Sequence, residues 1–123
     1  RKLAETYDEG LRGLPGVTLP EMGLGDRQAW HLYVVRHERR EALQERLARD
    51  GISTLVHYPV PPHLSGAYEA AGLGPFGVTE QLARTVLSLP MGPHVTPTQA
   101  AEVGAAVRRA TVELSASPLG PTA

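Results

Sequence analysis

The sequence predicts a small two-layer α+β domain, in which flanking helices cover a sheet of two or three strands. Apolar residues recur at helical spacing in several parts of the chain, and runs rich in β-branched residues lie between them. Stretches rich in glycine and proline separate these elements. The length of 123 residues fits one domain, and we see no internal repeat.

The first predicted element is a helix at the start of the chain. Leu3, Tyr7, Leu11 and Leu14 are spaced by four, four and three residues, so they fall on one face of a helix. A connecting loop punctuated by glycine and proline follows over residues 13–26. The small sheet is expected to offer this helix little surface to pack on. The chain also begins without methionine and within this helix, which suggests a piece of a longer protein.

Three strands are predicted from β-branched and apolar runs. Residues 29–36, "AWHLYVVR", should form a strand with Trp30, Leu32 and Val34 on one side and cover on both faces. Residues 52–58, "ISTLVHY", are predicted as a second strand that a proline halts. "LSLP" is the third and shortest strand.

The clearest helix in the middle of the chain is predicted over residues 38–50. Leu43 and Leu47 give it an apolar stripe, and Gly51 stands where a C-terminal cap belongs. A short helix is expected over residues 64–71.

Two more helices are predicted towards the end. One follows Thr79, with Leu82 and Val86 facing inward. The last begins at Thr96, because Thr96 as N-cap and Gln99 three residues later form a capping box around a proline at the first helical position. Its buried stripe consists of Val103, Val107, Ala110 and Leu114.

Composition excludes several classes of function. The net charge of −1 provides no field that would attract nucleic acid or an anionic membrane, and "RHERR" is a local basic patch that a solvated surface explains. No apolar run approaches the ~20 residues of a membrane span. The absence of cysteine excludes disulfides and thiolate chemistry, and a cytoplasmic protein is the simplest interpretation. Lys2 is the single lysine.

Two motifs that suggest cofactors lack the context they need. "GLGPFG" matches G-x-G-x-x-G, but a predicted helix rather than a strand precedes it, and Pro75 removes one backbone donor, so we interpret it as a connector. His57 and His63 are six residues apart with three prolines between them, which is not the spacing of a common metal site.

The stretch "VHYPVPPHL", residues 56–64, carries the strongest signal. Three prolines fix its backbone while it holds two histidines and a tyrosine. On composition alone it is either a rigid corner or a polar binding edge. Imidazole and phenol groups can donate hydrogen bonds to phosphate or sugar oxygens without a full charge.

In order and spacing, "HLYVVR", "GISTLVHYPVPPHLSGAY" and "LSLPMGPHVTPTQ" closely resemble the carboxy-terminal part of the DegT/DnrJ/StrS sugar aminotransferases. The opening "RKLAETYDEGL" is similar to the helix that links the large and small domains of that family. The resemblance covers roughly residues 1–110.

The resemblance implies the small domain of a fold-type-I aminotransferase. Such enzymes use pyridoxal phosphate to transfer an amino group, usually from glutamate, to a keto carbon of a nucleotide-linked deoxysugar in antibiotic and other deoxysugar biosynthesis, and they work as homodimers. The form of the corner resembles the branch that aminates C3 of dTDP-3-keto-6-deoxyhexoses. The resemblance to the family also implies a linking helix and loop over residues 1–26, the small domain over 27–114 and a disordered tail over 115–123.

The resemblance also implies what the chain lacks and what it contributes. The family's aldimine lysine lies in its large domain, and Lys2 is not in that motif, so this chain alone should bind no cofactor and be inert. His57 and Tyr58 match residues near the nucleotide-sugar, and His63 and Arg36 are added as substrate-binding candidates by proximity. The alternative is a free-standing small-ligand-binding or protein-interaction module derived from this domain.

Overall fold

A computed structural model describes residues 1–23 and 28–118. In these residues four helices flank a three-stranded antiparallel sheet of order β1-β2-β3. The elements are α1 (Lys2–Leu11), β1 (Val17–Thr18), β2 (Tyr33–His37), α2 (Arg40–Arg49), α3 (Gly77–Thr85), β3 (Val86–Leu89) and α4 (Pro97–Ala116), with 3₁₀ turns at Pro62–Leu64 and Glu69–Ala71. The α+β class and the third strand "LSLP" are confirmed.

The central strand β2 is shorter than the sequence predicted, and only one of its two faces is fully buried. Tyr33, Val35 and His37 are buried, while Val34 and Arg36 are partly exposed. Side chains alternate between the two faces of a strand, so the register that pairs Tyr33 with Leu89 turns the odd-numbered residues to the core. Trp30 and Leu32 precede β2, so of the three residues predicted on one side of the strand only Val34 lies within it, on the partly exposed face.

Helix α1 packs against α4, contrary to the expectation that it would find little to pack on. The predicted residues Tyr7, Leu11 and Leu14 are buried in the same core as the sheet. The Tyr7 hydroxyl donates to the carbonyl of Pro90 at 2.6 Å, and burial raises the Tyr7 pKa to about 12. The phenol therefore stays protonated and keeps this hydrogen bond.

The other long helices form as predicted. Leu43 and Leu47 of α2 are fully buried, and Gly51 after the helix has φ +76°, a conformation that favours glycine. The capping box of α4 is present, because the Thr96 hydroxyl accepts from Gln99 N and the Gln99 side chain accepts from Thr96 N. The predicted stripe of α4 is buried throughout: Val103, Val107, Ala110 and Leu114.

Two elements predicted in the middle of the chain are wrong. Residues 52–58 form no strand and pair with β3 through a single bridge between Leu55 and Ser88. The run of prolines that begins at Pro59 ends this extended segment, because proline cannot donate to a strand ladder. Residues 64–71 form no α-helix, and the two 3₁₀ turns take its place.

Smaller differences concern the ends of elements. Ala83, not Leu82, is the buried residue of α3, and Val86 belongs to β3. The predicted loop over residues 13–26 contains β1, and α4 continues to Ala116, into the tail expected over 115–123. Residues 24–27 and 119–123 lie outside the described part of the chain, in which no helix is both long and apolar enough to cross a membrane.

A buried arginine joins α2 to the end of α3. Arg40 is 7% exposed, and its Nη1 donates to the carbonyls of Ala83 at 3.1 Å and Val86 at 3.2 Å. A cation at a helix C-terminus satisfies carbonyls that have no partner inside the helix. Arg40 thereby fixes where α3 stops and β3 begins.

The segment between Tyr58 and Leu82 lies outside the core, and a hydrogen bond between His63 and Glu80 joins its beginning to its end. Pro61 and His63 are its buried residues. His63 Nε2 lies 2.9 Å from Glu80 Oε1, and the same carboxylate oxygen accepts from Phe76 N at 3.0 Å. These hydrogen bonds, with His63 first, lower the pKa of Glu80 below its ordinary value.

We expect Arg40→Met to destabilise the chain by about 1–3 kcal/mol, because two buried carbonyls lose their donor. The buried Nε of Arg40 has no acceptor in the described residues, so its removal offsets part of the loss. Urea unfolding measures the change, and Arg49→Met, at an exposed position of the same helix, is the control. Equal stability of the two variants would contradict the role given to Arg40.

We expect the stability of the chain to depend on ionised Glu80. A lowered folded-state pKa means that the contribution is present above the unfolded value of about 4.3 and is lost as pH falls through the folded value. Thermal unfolding of the wild type and Glu80→Gln, followed from about pH 7 down to about pH 3, should show a difference that shrinks below about pH 4. A difference independent of pH would contradict the assignment.

Candidate functional site

An open groove of 710 Å³ lies between the segment after α2, the chain after β3, and α4. Its apolar lining includes Ile52, Leu89, Met91, Val95 and Val103, and its polar lining includes His57, Ser88, His94, Glu102 and Arg109. Pockets of this mixed character, with a few polar groups on apolar walls, are the usual form of a small-molecule site.

The predicted residue His57 lies in this groove. The single bridge between Leu55 and Ser88 holds its backbone beside β3. Its Nδ1 lies 2.8 Å from Ser88 Oγ, and its ring meets that of Tyr58 edge-on at 5.5 Å between centroids. The imidazole is therefore fixed on one side and half-buried.

The predicted residue Tyr58 is next to His57 but is not among the residues that line the groove. It is 74% exposed, and the neighbouring Val60 is also exposed. The peptide bond between His57 and Tyr58 is cis. His57 and Tyr58 are thus adjacent, one facing the groove and one facing outward.

His63 lies in a different place. It lines a second cavity of 450 Å³ with Gly74, Glu69 and Glu80, and its ring contacts Phe76 edge-on at 4.8 Å. Its Nε2 is bonded to Glu80, so the imidazole closes the segment as described above.

Arg36 lies apart from both histidines. It lines a cavity of 120 Å³ with Thr18, Gln81 and Thr85, on the side of the sheet opposite the buried face. Of the four predicted site residues, the structure brings together His57 and Tyr58 and places His63 and Arg36 in separate pockets.

Sequence reasoning missed the groove residues that come from distant parts of the chain. Ser88 contacts His57 from β3, and Arg109 of α4 pairs with Asp50 at 3.4 Å across the groove. The one available signal was a serine inside the apolar strand "LSLP", since a buried hydroxyl needs a partner.

The G-x-G-x-x-G stretch forms a loop that opens a helix, but it follows a 3₁₀ turn and not a strand. The Phe76 N–H at the start of α3, which the motif would offer to a phosphate, donates to Glu80. In the described part of the chain no three or more His, Asp or Glu side chains are grouped as metal ligands.

The groove does not fit covalent attachment of pyridoxal phosphate. That cofactor is held through a lysine, and no lysine lines the groove within the described residues. Lys2 is exposed at the first residue of α1. The chain contributes imidazole and hydroxyl groups to the groove, but not the amine that such chemistry requires.

The surface beside the groove is apolar and almost without charge. Between residues 51 and 79, Glu69 is the single aspartate, glutamate, lysine or arginine. Exposed large side chains are concentrated there: Leu55, Tyr58, Val60, Leu64, Tyr68, Leu73, Phe76 and Val78. Such a patch is typical of a surface that another protein segment covers.

The sequence profile of the DegT/DnrJ/EryC1/StrS aminotransferase family matches residues 1–108. The chain is 51% identical over 108 residues to a dTDP-3-amino-3,4,6-trideoxy-alpha-D-glucose transaminase of Streptomyces venezuelae, covering 86% of this chain and 28% of that protein. It is also 51% identical over 96 residues to the erythromycin biosynthesis sensory transduction protein EryC1 of Saccharopolyspora erythraea, covering 76% of this chain and 26% of that protein. The chain thus spans less than a third of these relatives.

Solved structures agree. The S. venezuelae protein DesV has 49% sequence identity and a TM-score of 0.80, over 89% of this chain and 30% of its own. The aminotransferase TlmJ from Streptoalloteichus hindustanus has 30% identity and a TM-score of 0.84, over 94% of this chain and 31% of its own. These similarities confirm the expected small domain of the fold-type-I plan, and the chain belongs to the DegT/DnrJ/EryC1/StrS aminotransferase family.

Proposed function

We propose that this chain is the substrate-closing part of an aminotransferase that transfers an amino group from glutamate to C3 of a dTDP-linked 3-keto-deoxyhexose. The observation that carries the proposal is His57 in the groove with the ring of Tyr58 packed edge-on against it. The relatives named as transaminases of dTDP-3-amino sugars, at 51% and 38% identity, support the substrate class.

The two side chains suit a nucleotide-sugar. An imidazole and a phenol recognise phosphate, hydroxyl and keto oxygens by hydrogen bonding, and neither needs a full charge to do so. The apolar groove walls exclude water from one side of such a ligand. His57 and Tyr58 therefore bind and orient the sugar, while His63 and Arg36 lie too far into other pockets to share that groove.

In this proposal the chain works with a lysine-bearing large domain and a second subunit. Pyridoxal phosphate, bound to that domain, supplies the amino-transfer chemistry. The exposed, nearly uncharged surface around Tyr68, Leu73 and Phe76 is the part of this chain that we expect those regions to cover. The lack of cysteine in the sequence supports a cytoplasmic location.

A free-standing small-ligand-binding or protein-interaction module is the second candidate. One observation favours it: the buried apolar side chains of α1, α2, α4 and the sheet form a single cluster, which is what an independently folding unit needs. Both proposals expect the chain to bind dTDP, and they differ on whether a large domain is needed for activity.

We expect dTDP to bind the 123-residue chain, with nuclear magnetic resonance shifts confined to the groove. His57→Ala and Tyr58→Ala should each weaken binding about tenfold, equal to ~1.4 kcal/mol. His31→Ala is the matched control, because His31 is exposed and does not line the groove. Equal affinity of the His57 and His31 variants would refute the substrate-binding role.

We expect no amino transfer when the chain alone is mixed with pyridoxal phosphate, glutamate and a dTDP-linked keto-sugar, because the groove has no lysine among the described residues. Chromatography of the sugar product measures the transfer. Lys2→Arg is the control for adventitious reaction at the single lysine. Turnover that disappears in this variant would show that the chain is catalytically complete.

A further inference from the structure

Ser88 is the buried polar residue on which the groove histidine depends. It lies in β3 between Leu87 and Leu89 and is 4% exposed. Its backbone N donates to the carbonyl of Leu55 at 2.8 Å, and Leu55 N donates back to Ser88 O at 3.2 Å. Backbone and side chain of this one residue therefore hold the chain that leads to His57.

The hydrogen bond between Ser88 Oγ and His57 Nδ1, 2.8 Å long, can run in two directions. If Nδ1–H donated, the Ser88 hydroxyl hydrogen would be left without an acceptor, since Ser88 makes no other side-chain hydrogen bond in the described chain. A buried donor without an acceptor destabilises the arrangement that contains it. If the hydroxyl donates, both groups are satisfied.

The second arrangement also suits the other ring nitrogen. His57 Nε2 makes no hydrogen bond within the described residues and is not among their buried unpaired polar atoms, so it is open to solvent. An N–H group at Nε2 can donate a hydrogen bond to water or to a ligand. The tautomer with its proton on Nδ1 therefore leaves the buried Ser88 hydroxyl without an acceptor. The tautomer with its proton on Nε2 leaves no buried group unsatisfied.

We propose that Ser88 is a positioning residue that holds neutral His57 as the Nε2–H tautomer and fixes its ring orientation. His57 then presents a hydrogen-bond donor to the groove. It selects ligand groups with an acceptor oxygen, such as a phosphate, hydroxyl or keto oxygen. Only this ligand preference rests on the proposed function; the tautomer and the orientation do not.

The test is nitrogen-15 spectroscopy of the imidazole in the 123-residue chain, well above the usual histidine pKa of about 6.5. We expect a protonated Nε2 and a hydrogen-bonded, unprotonated Nδ1. Ser88→Ala should move the Nδ1 resonance to that of a free imidazole nitrogen and average the ring orientation. Ser88→Thr, which retains the hydroxyl, should restore both.

Thr85→Ala is the matched control, because it removes a hydroxyl bonded to the Gln81 carbonyl near the start of β3 and should leave the His57 resonances unchanged. Nδ1–H in the wild-type chain would overturn the proposal even if the Ser88 variants failed to fold. Unchanged His57 resonances in Ser88→Ala would do the same.

A dTDP titration tests the ligand preference of His57 separately from its tautomer. We expect Ser88→Ala to weaken binding about three- to tenfold and Ser88→Thr to restore it. If wild-type chain fails to bind dTDP, the proposed function fails, while the imidazole resonances still decide the tautomer. If the wild type binds and Ser88→Ala binds equally well, the link from Ser88 to ligand recognition is wrong.

Discussion

The backbone from Val86 to Pro90 receives hydrogen bonds from four separate parts of the chain. Strand β2 pairs with it along one edge, Leu55 pairs with Ser88 along the other, Arg40 reaches the Val86 carbonyl, and Tyr7 reaches the Pro90 carbonyl. The same short stretch also supplies Leu87 and Leu89 to the core. Because α1, α2, the sheet and the groove all meet there, the position of His57 depends on contacts made throughout the domain.

Local signals in the sequence were sufficient for the elements that rest on local physics. The capping box at Thr96 and the leucine stripe of α2 predicted their helices, because a cap or an apolar periodicity acts within one or two turns. The strand predicted over residues 52–58 failed for a tertiary reason: its composition suits a strand, but only Leu55 finds a partner on β3.

The residues of the candidate site also divide into those to which the sequence pointed and those that it could not reveal. The proline-rich corner and its resemblance to the family pointed to His57 and Tyr58; His57 lines the groove, and the Tyr58 ring contacts it from outside. His63 and Arg36, which were added by proximity in sequence, line two other pockets. The Ser88 contact joins residues 31 positions apart and could not be found by spacing alone.

The segment closed by His63 and Glu80 has a consequence for how such a domain diversifies. Every residue from 66 to 79 is exposed, so this stretch adds no side chain to the core. Within it, internal packing constrains Gly74, where a Cβ would come within 3.2 Å of the His63 ring, and Phe76, whose ring contacts His63 edge-on. Substitutions at the other exposed positions can therefore change which neighbours this surface contacts at little cost to the stability of the scaffold.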